Sequence, residues 1–169
     1  STLNLSMSSS PSRLNPILAN DSASSEISDW LFNGLFKYDK NGNHTVDLAQ
    51  SYEFETPTKL IIKLRNNVLW HDGVKFTSKD VVFTYEKIID PKVFNSIKSN
   101  FQEVQSVKAI DDFTLEIIYK QPYFKAIETW MVGILPYHLL KDEENLMTSS
   151  FNKNPIGTGS YKLKEFKTA

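Results

Sequence analysis

The sequence predicts an α+β fold, a mixed pattern of helices and hairpins without the regular strand–helix alternation of a nucleotide-binding domain. Three observations predict it. Apolar residues recur at every second position in several short runs, they recur at helical spacing in others, and successive strand runs follow one another as hairpins. The chain has 169 residues, 40% of them hydrophobic and 23% charged, an ordinary globular composition. That length suffices for one good-sized domain or two small lobes, burying about 70% of the unfolded surface.

Leu3, Leu5 and Met7 alternate with polar residues and predict a half-buried strand, followed by a serine-rich loop up to Asn15-Pro16. Asp21 or Ser22 can cap a helix whose apolar residues Ile27, Trp30, Leu31 and Leu35 share one face, with Gly34 as its stop. Residues 35–38 form a short strand, and 39–43 a turn, because Asn-Gly tolerates positive φ. Tyr52 and Phe54, then Leu60, Ile62 and Leu64, mark two strands separated by Pro57.

Thr77 and Asp80 have the spacing of a capping box. They open a helix bearing Val81, Val82, Tyr85, Ile88 and Ile89, which Asp90-Pro91 ends. Residues 104–110 and 113–119 read as a hairpin around Asp111-Asp112, with Phe113, Leu115, Ile117 and Tyr119 on one face. A helix is predicted over 123–132, another beginning at Pro136 in its first turn, and a last strand over 161–166 after the breaker cluster 154–159.

Lys and Arg total 19 against 20 Asp and Glu, a net charge of −1, which excludes nucleic-acid binding driven by counterion release. The absence of cysteine excludes disulfides, thiolate zinc sites and thiol nucleophiles. The longest apolar stretch without charge, 129–140, is too short to span a bilayer and contains Pro136 and His138. The opening residues have neither a basic nor a hydrophobic region, so any signal peptide is expected to be already removed.

No catalytic constellation emerges. His44, His71 and His138 have no ligand spacing, and His71-Asp72 reads as a pair satisfying turn backbone before Gly73. Gly157-Thr158-Gly159 lacks the lysine and following helix of a phosphate loop and reads as a tight crossover. No nucleophile elbow presents a serine. Asp142, Glu143 and Glu144 read as a solvated helix face, and Trp30, Trp70 and Trp130 as core. No cofactor is expected.

One stretch is far more specific: Leu60-Ile61-Ile62-Lys63-Leu64-Arg65, Val68-Leu69-Trp70-His71-Asp72-Gly73, then Phe76-Thr77-Ser78-Lys79-Asp80-Val81-Val82-Phe83. It resembles the signature of the family 5 extracytoplasmic solute-binding proteins, the peptide- and nickel-binding components of ABC importers. Leu14-Asn15-Pro16, Leu31-Phe32-Asn33-Gly34-Leu35, Leu48-Ala49-Gln50-Ser51-Tyr52-Glu53, Val107-Lys108-Ala109-Ile110-Asp111-Asp112 and Pro155-Ile156-Gly157-Thr158-Gly159 match in the expected order. Ser160 stands where the family usually has proline.

The resemblance implies an N-terminal fragment of a two-lobed periplasmic-binding-protein-like (type II) fold with a mixed sheet, covering about the first third of a member. Residues 1–46 and 154–169 are then expected in the first ligand-binding lobe, and 47–153 in an inserted small α+β domain. Sheet edges left without later partners are expected to pair with a second copy. The implied function is capture of di- or oligopeptides by clamp closure and delivery to an ABC permease in the inner membrane, in the periplasm or another extracytoplasmic space, with no bond broken.

In the loop after the first strand, Ser9, Ser10, Ser12 and Arg13 are the candidates for hydrogen-bonding an extended peptide, while Pro11 can only accept. Phe94 and Asn95, just past Asp90-Pro91, are the second candidates. Nickel-binding relatives tend to offer an arginine and an aromatic residue in this segment; here 92–99 carries Phe94, Ile97 and only the lysines Lys92 and Lys98, which tilts the reading toward peptides. A nickel-chelate binder, a stand-alone interaction module using the exposed hairpin, and a peptide hydrolase are the alternatives. With half a cleft absent, the fragment alone is expected to bind negligibly.

Overall fold

The computed structural model describes residues 1–7 and 13–168, with eight strands and four helices among them. Strand β1 (Thr2–Met7) leads through a loop to helix α1 (Ser22–Leu31). A short antiparallel pair follows, β2 (Phe36–Tyr38) and β3 (His44–Val46). Gly42 takes φ 79° in the turn between them, and the Asp39 carboxylate accepts from the amides of Asn41 and Asn43.

The main sheet is antiparallel, in the order β4 (Ala49–Thr56), β5 (Lys59–Leu64), β7 (Thr114–Tyr119), β6 (Val104–Asp111). Its register sets Leu60 against Ile117 and Ile62 against Leu115, so four fully buried side chains form one block on a single face. The opposite face mixes Ile61 and Ile118 with charged residues, among them Lys59, which pairs Glu55 and Glu116.

Helix α2 (Ser78–Ile89) begins where the Asp80 carboxylate reaches back to the Thr77 amide at 3.0 Å. Ser78 also donates to the Asp111 and Asp112 carbonyls, tying the tip of the β6–β7 hairpin to the helix start. Helices α3 (Ala126–Thr129) and α4 (Tyr137–Leu140) are single turns. Finally β8 (Lys162–Thr168) pairs in parallel with β1, Thr2 opposite Lys162. One continuous core runs from Leu14 to Phe151, with Trp70, Phe76 and Trp130 among its largest fully buried side chains. No helix among the described residues is long and apolar enough to cross a membrane.

Five sequence expectations need correction. Helix α1 stops at Leu31, not Gly34, because Phe32 turns extended; Gly34 is there because a Cβ would overlap the Met131 carbonyl. The helix expected over 123–132 shrinks to one turn. The Trp130 carbonyl is taken instead by the amides of Leu35 and Phe36, and its indole by the Tyr119 hydroxyl at 3.1 Å, so the backbone there is committed to distant partners. Pro136 caps α4 from outside its first turn, and the acidic run 142–144 lies beyond that helix, where Glu143 accepts from the Ser149 hydroxyl. Trp30 is not core: it is 40% exposed and tilts against Tyr161.

Candidate functional site

The conspicuous motifs of the sequence are structural joints. In the Trp-His-Asp-Gly turn, the Trp70 indole donates to Asp80 Oδ2 at 3.2 Å, and Tyr137 N donates to the other carboxylate oxygen at 2.8 Å. Burial pushes the Asp80 carboxyl up, against the lowering effect of these donors and the Thr77 amide.

His71 grips the crossover. Its Nδ1 accepts from Gly157 N at 3.2 Å, so the proton sits on Nε2, which donates to the Gly159 carbonyl at 2.8 Å. Burial holds its pKa below the usual histidine value, outweighing the Gly159 carbonyl. The glycines are required by α1: a Cβ on Gly157 would overlap the Leu31 carbonyl and one on Gly159 the Trp30 carbonyl, and Gly159 N in fact donates to Leu31 O at 2.9 Å. The loop thus covers the carbonyl end of α1. Asp72 Oδ2 lies 2.7 Å from His138 Nε2. Burial raises the Asp72 carboxyl, but this bond and the Val74 amide together hold it below its usual value.

A cleft of about 220 Å³ opens elsewhere, between α1, the segment after α2 and the α3 turn. Ser28, Asp29 and Phe32 form the α1 wall. Ile97 and Asn100 enter with a 3₁₀ turn, Lys98–Phe101. Glu128, Thr129 and Met131 come from α3 and its exit, and Pro16 closes one end beside Gly133. A Cβ at Gly133 would sit 2.6 Å from Pro16 and 2.9 Å from Phe32, so the close approach needs glycine.

The Ser28 hydroxyl in this cleft is buried without a hydrogen-bond partner. Asp29 stands at the rim, its carboxyl raised by partial burial and by the like charge of Glu26. Glu128 Oε1 is 3.3 Å from His44 Nε2, and Thr129 Oγ1 donates to the Lys125 carbonyl at 2.9 Å. Past Asn100, Glu128 and Met131 the surface continues into a second hollow of about 360 Å³ edged by Tyr38, Tyr123 and Lys125.

Of the site residues expected from sequence, Ser9, Ser10 and Ser12 lie outside the described residues. Arg13 is half-buried, its Nε donating to the Met147 carbonyl at 3.0 Å. Phe94 is 75% exposed. The Asn95 amide donates to the carbonyls of Ile88 and Val93, closing the end of α2. Arg13, Phe94 and Asn95 are not among the residues lining the cleft, which Pro16 enters from the loop before α1, and Ile97 and Asn100 from the chain after α2. Ser28, Asp29 and Glu128 were not foreseen. The available signal was Gly133, a lone glycine in an apolar run and outside any turn pattern.

Residues 44–169 match the family described as bacterial extracellular solute-binding proteins, family 5, middle region. The oligopeptide-binding protein AppA of Bacillus subtilis is 31% identical over 163 residues, 93% of this chain and 30% of that protein. A putative ABC transporter peptide-binding protein of Brucella ovis is 32% identical over 146 residues, 81% of this chain and 28% of that one. Among solved structures, NikZ from Campylobacter jejuni in complex with Ni(L-His) superposes with a TM-score of 0.87 at 38% identity, covering 98% of this chain and 33% of NikZ. AppA from Bacillus subtilis in complex with a nonapeptide gives 0.87 at 29% identity, covering 99% and 34%. The chain therefore spans about a third of the length of the proteins it matches.

Proposed function

The chain belongs to the bacterial extracellular solute-binding proteins of family 5, and from that membership we propose that the whole protein is the substrate-binding component of an ABC importer. It captures di- or oligopeptides outside the cytoplasm by closing two lobes around them and hands them to a membrane permease, breaking no bond. Residues 1–46 and 154–169 belong to the first lobe and 47–153 to the inserted domain.

The carrying observation is the cleft itself. The segment after β1 and the segment after α2 are far apart in sequence, and both border it, at Pro16 and at Ile97 and Asn100. In this reading Ser9, Ser10, Ser12 and Arg13 offer hydroxyl, amide and guanidinium groups to an extended backbone, while Phe94 and Asn95 belong to the second contributing segment. The peptide-binding names of the curated relatives favour peptides.

A second reading, capture of a nickel–histidine chelate, draws on the likeness to NikZ. A thermal-shift screen of the full-length protein against di- and oligopeptides and against nickel–histidine separates the two. A peptide at 100 times its Kd stabilises by about 2.7 kcal/mol; stabilisation by the chelate alone overturns the peptide reading.

A further inference from the structure

We propose that the cleft selects peptides carrying a cationic side chain, lysine or arginine, which is received by Ser28, Asp29 and Glu128. The proposal rests on the peptide-capture reading and goes beyond it by naming the charge of the cargo.

The first observation is Ser28. The residue is 3% exposed and belongs to the cleft wall, and its hydroxyl is buried without a partner. Leaving such a group unpaired is costly, so Ser28 offers a hydrogen-bonding site that a ligand in the cleft completes.

The second is charge. The next residue, Asp29, and Glu128 from α3 place two carboxylates on the same cleft, and no lysine or arginine lines it among the described residues. The cation of the neighbouring hollow, Lys125, has its Nζ 5.6 Å from the Phe124 ring centroid and is engaged there. His44 approaches Glu128 at 3.3 Å, leaving Asp29 without a basic partner in the cleft.

An ammonium or guanidinium supplies several donors at once, enough for the Ser28 oxygen and both carboxylates, and such charge-assisted bonds are the strong ones. A ligand carboxylate would meet two like charges. A neutral amide could satisfy Ser28 but would bring no charge to meet the carboxylates. The raised proton affinity of Asp29, caused by burial and by Glu26, is consistent with a group that a ligand cation relieves.

The test is calorimetry on the full-length protein with tetra-alanine and its single-lysine, single-arginine and single-glutamate variants at each position, all with free termini. At one position lysine or arginine is expected to bind about tenfold or more tighter than glutamate. In Asp29→Asn/Glu128→Gln that ratio is expected to fall below about twofold. Ser28→Ala is expected to raise the melting temperature of the empty protein while weakening the lysine peptide; a merely structural Ser28 would move the melting temperature alone. Peptides that bind without charge preference, or a preference untouched by the double variant, overturn this proposal and leave peptide capture standing. If no peptide binds, peptide capture itself falls and this proposal with it.

Discussion

Trp70 and Asp80 are joined by an indole-to-carboxylate hydrogen bond of 3.2 Å that fastens the turn before Gly73 to the first turn of α2. The same carboxylate also accepts from Thr77 N and Tyr137 N, so three segments converge on one buried acid. Asp80→Ala leaves three donors unpaired and is expected to cost about 3 kcal/mol in urea unfolding, with Asp80→Asn costing less because one carbonyl oxygen remains.

His71 makes stability pH-dependent. Its folded pKa lies below the unfolded value of 6.5, so between the two the unfolded chain binds more protons and stability rises with pH. The full contribution is present above about pH 6.5 and is lost as pH falls through the folded value. Denaturant unfolding from pH 5 to 8 is expected to show this slope, and His71→Gln to flatten it. Asp80 has the opposite sign: its raised pKa makes stability fall as pH climbs from 3.8 through the folded value, so its limb lies on the acid side.

Two glycines separate backbone strain from steric overlap. Gly42 has φ 79° and open space around a built Cβ, so Gly42→Ala is expected to cost about 1 kcal/mol. Gly157→Ala drives a methyl into the Leu31 carbonyl, where backbone must move, and is expected to cost about 3 kcal/mol. Thermal melts of the two variants check the difference.

Neighbouring residues after α2 are expected to behave oppositely. Phe94 is 75% exposed, so Phe94→Ser is expected to change stability by less than about 0.5 kcal/mol, with any effect confined to ligand affinity. Asn95→Asp replaces the amide donor with a carboxylate facing the Ile88 and Val93 carbonyls, and a loss of about 3 kcal/mol is expected.

Much of this fold is written locally. The period-two runs of β5 and β7, the Asp39–Gly42 turn and the Thr77–Asp80 box depend on near neighbours, and the chain shows them where the pattern says. Distant partners erased the rest. Nothing near residue 130 reveals that its carbonyl will serve Leu35 and Phe36, so α3 could not be sized from its own sequence. The cleft was hidden for the same reason: its walls are assembled across α1, the 97–101 turn and 128–133, and no local pattern links Ser28 with Glu128.

The pairing of Thr2 with Lys162 imposes a timetable on synthesis. Strand β1 leaves the ribosome long before β8, and nearly the whole described chain between them must be made before this partner arrives. The β4–β7 sheet and α2 can assemble in the meantime from closer contacts, so the parallel pair is the slow, late step and the interval most open to mispairing.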